Sequence, residues 1–284
     1  MAEAHCHGRV QGHQRRRSLK TVGVFDSGVG GLSVLRALLA ELPGTRFVYV
    51  ADSAHAPYGE RAASYVSART QRITAYLREA HAIDALVLAC NTATAHAIDD
   101  LRKSHPDLPV VGVEPALKPA AASSRSGRIG VLATRGTLGS ARFAQLRDRQ
   151  VSAATRPLHF SCQPCDGLAD AIERHDAAAI LALCERNVHT LRERAGPEMD
   201  TLVLGCTHYP FAADVLSRLC GPQITLVDTG APVARRTREI LGESSRAEGA
   251  PMPPVLIASG STQALTKAAQ RWLNVQVMAC PLPV

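Results

Sequence analysis

Two short segments of this 284-residue chain place a cysteine directly after an apolar run. The first reads ALVLACNT over residues 85–92, and the second reads TLVLGCTH over residues 201–208. Apolar runs of this length predict buried parallel strands, and chemistry in an open α/β sheet collects just past the carboxyl ends of such strands. A nucleophile needs one thiol, so the pair formed by Cys90 and Cys206 indicates a reaction that is itself two-sided.

Polar residues follow each of the two cysteines. A thiol between a strand and a helix lies near unpaired backbone N–H groups, which predicts a pKa for Cys90 lowered toward neutrality, although a buried structural cysteine is the alternative. Asn91 and Thr92 add donors for an anion at the helix start. Beyond Cys206 and Thr207, His208 is placed to serve as the proton partner of the second thiol.

Two further loops follow predicted strands. In the first, Asp26 and Ser27 precede three glycines within residues 28–31, which allow close approach of a ligand to the backbone. The G-x-G-x-x-G spacing is missing, so a dinucleotide site is not predicted. Asp26 at a strand end suits a helix cap and the acid–base partner of a thiol, and we predict both functions. In the second loop, Tyr58 and Gly59 form a turn with an aromatic side chain, which is either a site or an ordinary connection.

Similarity between the halves of the chain extends beyond the cysteines. Residues 22–28 and 129–136 both contain a short apolar strand ending in a hydroxyl residue and a glycine. Two similar α/β units facing each other would place a small anion between two thiols. One thiolate would then take a proton from carbon while the other thiol delivers one to the opposite face, inverting a stereocentre without a cofactor. Hydrogen-bond donors around a carboxylate would stabilise the developing charge.

Other chemistries lack their residue patterns. The chain contains no H-E-x-x-H, Walker or G-x-S-x-G motif, and none of its four lysines lies in a phosphate-binding context suited to pyridoxal phosphate. His159, Cys162 and Cys165 have spacing that suits zinc or redox chemistry, but no fourth ligand is evident. We therefore predict neither a cofactor nor a metal.

Composition predicts a cytoplasmic globular protein. No apolar run approaches the ~18 residues that a membrane helix needs, and the eight cysteines are dispersed, which favours reduced thiols over a disulfide framework. Much of the net charge of +7 lies in residues 1–20, which include Arg15-Arg16-Arg17 and have no apolar signal region. This segment is predicted to be a disordered basic arm.

Strands and helices alternate along the chain, which predicts parallel sheets covered by helices, an α/β fold of two similar domains related by a pseudo-two-fold across a cleft. Strands are predicted near 22–26, 47–51, 85–89, 110–113, 128–133, 157–160, 201–205, 224–227, 254–258 and 275–278. Helices are predicted near 31–41, 62–80, 93–104, 138–149, 168–195, 210–219, 230–241 and 261–272.

Taken together, the motifs resemble the glutamate racemases of the cofactor-independent aspartate/glutamate racemase superfamily. They are FDSGVGGLSVL (25–35), ADSAHAPYGE (51–60), ACNTATA (89–95), VEPALKPA (113–120), GVLAT (130–134), GCTHYP (205–210), VDTGAPVARR (227–236) and Ser259-Gly260. These motifs run in order across almost the whole chain beyond the arm.

The resemblance implies functions for particular residues and an organisation for the chain. Cys90 and Cys206 match the two acid/bases of the family, and Asp26 and His208 match their assistants. The substrate-binding positions matched are Asp26, Ser27, Tyr58, Gly59, Asn91, Thr92, Thr207 and His208. The family also implies a first domain of residues 21–115 plus 225–284, a second domain of residues 116–224, a homodimer, and D-glutamate as a product for peptidoglycan synthesis.

Two features depart from the family pattern. A glutamate common in the family is predicted to be replaced within residues 166–173, where Asp170 and Glu173 are both candidates, so neither receives a function. The basic arm belongs to no motif, and because some glutamate racemases bind and inhibit DNA gyrase, a gyrase-binding function is one alternative. The others are an aspartate racemase, and a cysteine hydrolase that uses Cys90 alone.

Overall fold

A computed structural model places residues 19–242 and 252–283 of the chain. Within these residues ten strands alternate with helices along most of the sequence. The strands are β1 (Thr21–Asp26), β2 (Arg46–Ala51), β3 (Ala85–Leu88), β4 (Val110–Gly112), β5 (Arg128–Ala133), β6 (His159–Pro164), β7 (Thr201–Leu204), β8 (Thr225–Val227), β9 (Val255–Ala258) and β10 (Cys280–Pro281).

Eleven α-helices lie between these strands in the described part of the chain, together with two short 3₁₀ turns at Tyr58–Glu60 and Tyr209–Ala212. The helices are α1 (Leu32–Glu41), α2 (Ala63–His81), α3 (Asn91–Ser104), α4 (Leu117–Ser123), α5 (Arg135–Leu138), α6 (Ala141–Ala153), α7 (Leu168–Glu173), α8 (Ala177–Ala195), α9 (Ala213–Cys220), α10 (Gly230–Ile240) and α11 (Thr262–Leu273).

The first sheet contains six parallel strands in the order β10-β9-β2-β1-β3-β4. Its central strands are apolar on both faces because helices cover both sides. On β1, Val24 packs into a core with Leu35 of α1, whereas the next residue, Phe25, packs into a second core with Ile73 of α2. Alternating side chains thus fix the strand between two helical layers.

The second sheet contains four parallel strands in the order β6-β5-β7-β8. This order repeats the β2-β1-β3-β4 part of the first sheet, strand for strand. Both sheets therefore place a cysteine after their third strand in chain order, Cys90 after β3 and Cys206 after β7. The prediction of two similar parallel α/β units is confirmed by this shared topology.

The structure differs from the predicted elements in several places, among them helices α4 and α5, which were not predicted. The predicted helix 168–195 is divided into α7 and α8, because His175 adopts a left-handed conformation (φ 58°) and Asp176 caps α8 through the Ala179 N–H. No strand forms over 275–278. The edge strand beside β9 is instead β10, a few residues later at Cys280–Pro281. Strand β6 begins at residue 159 and extends four residues past the predicted end at 160.

Two structural observations bear on the predicted division of the chain, one at the basic arm and one at the second domain boundary. Residues 1–18 of the predicted basic arm lie outside the described residues, while Lys20 already pairs with Asp84 at 2.8 Å. The second boundary was predicted before residue 225, but β8 pairs with β7 and so belongs to the second sheet. Among the described helices, none has the length and hydropathy needed to cross a membrane.

Candidate active site

The carboxyl ends of the two sheets share one cleft, which holds a cavity of about 160 Å³. Residues from both sheets line it, so the repeated strand-end motifs meet as the sequence predicts. Its lining includes Ser27, Tyr58, Gly59, Cys90, Asn91, Thr92, Thr134, Asp170, Glu173, Cys206, Thr207 and His208. Asp26 does not line the cleft but lies fully buried beneath it.

Cys90 is the N-cap of α3, where its sulfur accepts the Ala93 N–H at 3.4 Å. Its Sγ also lies 3.7 Å from the Ser27 Oγ. Despite these contacts, burial raises the pKa of the Cys90 thiol, and the nearby Asp26 carboxylate raises it further. The predicted lowering of this pKa is therefore wrong, because desolvation outweighs the donors of the helix start. The resting state of Cys90 is a protonated thiol.

Asp26 ends β1 and acts as an anchor for the glycine loop. Its carboxylate accepts the Ser27 N–H at 2.7 Å and also the Gly31 N–H. Burial raises the pKa of Asp26 to about 6, although His208 and the two backbone donors oppose the rise. The Ser27 Oγ lies 3.4 Å from the Asp26 carboxylate, so Ser27 connects this acid to Cys90. The N-cap of α1 is Gly31 and no side chain caps this helix, so Asp26 holds the glycine loop and lies near the thiol but is not a helix cap.

Cys206 has a different and more direct partner. The His208 Nδ1 lies 3.6 Å from its sulfur, and the opposite ring nitrogen, Nε2, lies 2.8 Å from Glu173 Oε1. Burial lowers the pKa of His208, but the bonds to Cys206 and Glu173 outweigh burial and raise it well above its usual value. The imidazole is therefore held as a cation between a sulfur and a carboxylate.

Glu173 completes this second group, and the sequence left its function unassigned. Burial works against its charged form, yet the bond to His208 keeps its pKa below the usual value. The carboxylate also accepts the Val29 N–H at 3.0 Å, which ties α7 to the glycine loop. Asp170 lines the same cleft but is half-exposed and pairs with Arg174. Nothing local in the sequence separates Asp170 from Glu173, because the distinction comes from tertiary contact with His208.

Gly28 and Gly30 leave the space that the Glu173 and His208 side chains occupy. A Cβ atom on Gly30 would overlap the His208 ring, and one on Gly28 would overlap the Glu173 carboxylate. The glycine run therefore serves close packing of two side chains from the other sheet rather than binding of a phosphate. Ser33, which sequence reasoning did not single out, adds a hydrogen bond from its Oγ to the Thr207 carbonyl at 2.8 Å.

We expect Gly30→Ala to lower the activity of this site by roughly 10²-fold or more, because the new methyl group displaces the His208 ring from Cys206. Steady-state kinetics of the purified variant provide the measurement. Gly139→Ala is the matched control, since Gly139 is exposed and in a right-handed helical conformation. Equal activity of the two variants would contradict the need for close packing at His208.

Asn91 and Thr92 begin α3 on the floor of the cleft. The side-chain amide of Asn91 is buried, and neither of its polar atoms has a partner among the described residues. A buried amide without partners marks a position for a polar ligand. Thr92 reaches across the cleft, where its Oγ1 lies 3.2 Å from the Oγ1 of Thr134. Thr134 is a lining residue that sequence reasoning did not single out.

The alternative metal or redox cluster is not assembled. His159 is exposed at the start of β6, whereas Cys165 is buried beyond its end. Across residues 19–242 and 252–283, no group of three or more histidine, cysteine, aspartate or glutamate side chains is arranged to hold a metal ion. All seven cysteines in this part of the chain are free thiols.

The architecture and the cleft define a class of protein, an α/β protein of two repeated units with a buried thiol from each unit facing a common cavity. The Asp/Glu/Hydantoin racemase family matches residues 23–237, and the chain belongs to this family. The resemblance noted in the sequence is thereby confirmed.

Relatives of known name agree with this assignment. The chain is 51% identical to the glutamate racemase of Pseudomonas paraeruginosa over 245 residues, which cover 86% of each protein. It is 48% identical to the glutamate racemase of Pseudomonas aeruginosa over 263 residues, which cover 89% of this chain and 92% of the relative.

Solved structures share the architecture. A glutamate racemase isoform from Bacillus anthracis aligns with a TM-score of 0.82 and 28% identity, covering 93% of this chain and 98% of its own. The Escherichia coli glutamate racemase, solved with L-glutamate and the activator UDP-MurNAc-Ala, aligns with a TM-score of 0.78 and 32% identity, covering 89% and 95%.

Proposed function

We propose that this protein interconverts L-glutamate and D-glutamate by proton transfer at Cα between Cys90 and Cys206. One observation carries the proposal: two buried thiols from equivalent strand ends line one cleft, and each has its own acid–base neighbour. Glutamate racemases are relatives at about half identity, and the E. coli structure that aligns with this chain contains L-glutamate. The amino-acid racemase activity supplies D-glutamate for peptidoglycan.

The reaction needs one thiolate and one thiol at a time. With L-glutamate in the cleft, the Cys206 sulfur takes the α-proton, and the electron pair left on Cα spreads into the α-carboxylate. The Cys90 thiol then delivers its proton to the opposite face, which yields D-glutamate and a Cys90 thiolate. The reverse direction exchanges the two functions. By family resemblance, Cys206 serves L-glutamate and Cys90 serves D-glutamate.

The surroundings of the thiols suit these starting states. The His208 Nδ1 lies 3.6 Å from the Cys206 sulfur, close enough to exchange a proton with it. Burial keeps Cys90 protonated, ready to donate. Asp26, with a pKa of about 6, is poised to exchange protons with the Cys90 side through Ser27. Donors for the substrate carboxylates would come from Ser27, Tyr58, Gly59, Asn91, Thr92 and Thr207.

Circular dichroism of the purified protein with L-glutamate or L-aspartate, and no added cofactor, tests this function. We expect loss of optical activity with L-glutamate and little change with L-aspartate. Faster racemisation of L-aspartate would favour the aspartate racemase alternative. Hydrolysis without racemisation would favour the alternative of a cysteine hydrolase.

We expect racemisation to persist after exhaustive treatment with a chelator and after removal of pyridoxal phosphate and nucleotides, because the two thiols supply both proton transfers. The rate is measured before and after treatment with the same protein sample. Loss of activity that zinc restores would contradict cofactor independence and would favour a zinc site at His159, Cys162 and Cys165.

The organisation of the chain is part of the proposal. We propose a first domain of residues 21–115 with the segment after Val227, and a second domain of residues 116–227, since β8 pairs in the second sheet. A homodimer and a cytoplasmic location are proposed from the family resemblance and the free thiols.

Deletion of residues 1–18 is expected to leave racemase kinetics unchanged, because the deletion keeps Lys20 and its contact with Asp84. If the arm serves a gyrase partner, the same deletion should weaken gyrase binding most at low salt, where charges are least screened. Equal binding by both forms at low salt would refute this partner function of the arm.

A further inference from the structure

Asp52 is a buried carboxylate that four polar contacts hold in place. Its two oxygens accept the Arg69 Nη2 at 2.8 Å and the Arg69 Nε at 2.9 Å, so the pair is bidentate. The Tyr58 hydroxyl donates to the same carboxylate at 2.6 Å, and the His55 ring lies 3.1 Å away. Asp52 is fully buried, and Arg69 is 9% exposed.

The arginine occupies a position where a helix ordinarily places an apolar residue. Arg69 lies on the buried face of α2, next to Val66 and Ile73 in the helical repeat. Burial raises the pKa of Asp52, but the bonds from Arg69 and Tyr58 outweigh burial and hold that pKa below its usual value. A buried ion pair of this kind contributes little to stability compared with an apolar core. Its presence therefore calls for another explanation.

The network ends at the wall of the cleft. The hydroxyl of Tyr58 is bonded to Asp52, and Pro57, Tyr58 and Gly59 line the cavity that contains both thiols. Gly59 faces the other sheet, since a Cβ on it would lie 3.1 Å from the Thr134 Cβ. The segment Pro57–Gly59 forms this wall. It is held on one side by the bond from Tyr58 to Asp52, and on the other side it faces Thr134 of the second unit.

We propose that Arg69 is a positioning residue for racemisation, which acts through Asp52 and the Tyr58 hydroxyl to hold the Pro57–Gly59 wall against the substrate. This inference rests on the proposed function. Arg69 itself does not line the cleft. The wall would contact a part of glutamate that does not change during proton transfer, so its disturbance should weaken binding of both enantiomers alike.

Arg69→Met and Tyr58→Phe separate the two ends of the network. Each is expected to raise KM about tenfold for both enantiomers, the loss of about one hydrogen bond to a charged group. The kcat and the α-deuterium isotope effect should change little. The double variant should show the same KM as either single variant, because both remove one connection.

Two further variants remove a purely structural explanation. Asp52→Asn combined with Arg69→Met leaves no unpaired buried charge, so this protein should fold while KM stays raised. Arg238→Met is the matched control, since Arg238 pairs with Glu41 at 2.6 Å between α10 and α1, away from the cleft lining. Its KM should equal that of the unchanged protein.

The experiment begins with the unchanged protein in the same assay. Absence of racemisation there would reject the proposed function itself. An active unchanged protein with a normal KM in Arg69→Met, or with additive KM effects in the double variant, would overturn the positioning function alone. Raised and non-additive KM values with an unchanged isotope effect would establish the positioning function of Arg69.

Discussion

Cys90→Ser and Cys206→Ser are each expected to lower racemisation by about 10²–10⁴-fold, the usual contribution of a positioned acid or base. A serine hydroxyl is far too weak an acid to exist as an alkoxide at neutral pH, so the replaced side cannot abstract a proton. In the proposed mechanism each thiol serves one face of the substrate, so the remaining thiol cannot replace the one that is lost. Circular dichroism of each variant with each enantiomer provides the measurement.

Cys184→Ser is the matched control for the two thiol variants. Cys184 is fully buried in the core of the second sheet and does not line the cleft. This variant should lose about 1–3 kcal/mol of unfolding free energy, the cost of a buried hydroxyl without a partner, and keep its activity. Substantial racemisation by Cys206→Ser would reject the two-base mechanism.

The fold was predictable because its information is local. Strands such as β1 and β7 are short apolar runs with polar ends, and their alternation with helices leaves few arrangements other than parallel sheets. The errors fall where local pattern is silent. A left-handed His175 divides one long helical pattern. Val275 and Val277 pack against the core of the first sheet without pairing in it, whereas Met278 is exposed.

The candidate site was predictable in its positions but not in its electrostatics. Cys90, Cys206, His208 and Asp26 follow from strand ends, which sequence pattern locates. The raised pKa of the Cys90 thiol does not follow, because it depends on how deeply the closed cleft buries the sulfur. Glu173 could not be chosen either, since only the tertiary structure brings its carboxylate to His208.

The two halves of the site are equivalent in topology and unequal in chemistry. Cys206 contacts a cationic imidazole directly, and Glu173 supports that imidazole from behind. Cys90 instead reaches its acid through a serine hydroxyl. The repeated fold therefore surrounds its two thiols with different acid–base groups. Each group should affect the rate of proton abstraction most in the direction in which its thiol acts as the base.

His208→Asn is accordingly expected to slow α-proton abstraction from L-glutamate more than from D-glutamate, and Asp26→Asn should do the reverse. The ratio of kcat/KM values cannot show this difference, because the equilibrium between enantiomers fixes it. The deuterium isotope effect with α-deuterated substrate reports how far each abstraction limits the rate. It should rise for L-glutamate in His208→Asn and for D-glutamate in Asp26→Asn.

Glu173→Gln sharpens the last test, because the Glu173 carboxylate bonds to His208 and to the Val29 N–H. Loss of its charge removes support for the imidazolium, so the isotope effect should shift in the same direction as in His208→Asn. Asp170→Asn is the control, since Asp170 lines the same cleft but pairs with Arg174 instead of His208. Its isotope effects should stay unchanged.

Equal shifts for both enantiomers in His208→Asn and in Asp26→Asn would contradict separate partners for the two thiols. Opposite shifts would assign His208 and Glu173 to Cys206, and Asp26 to Cys90.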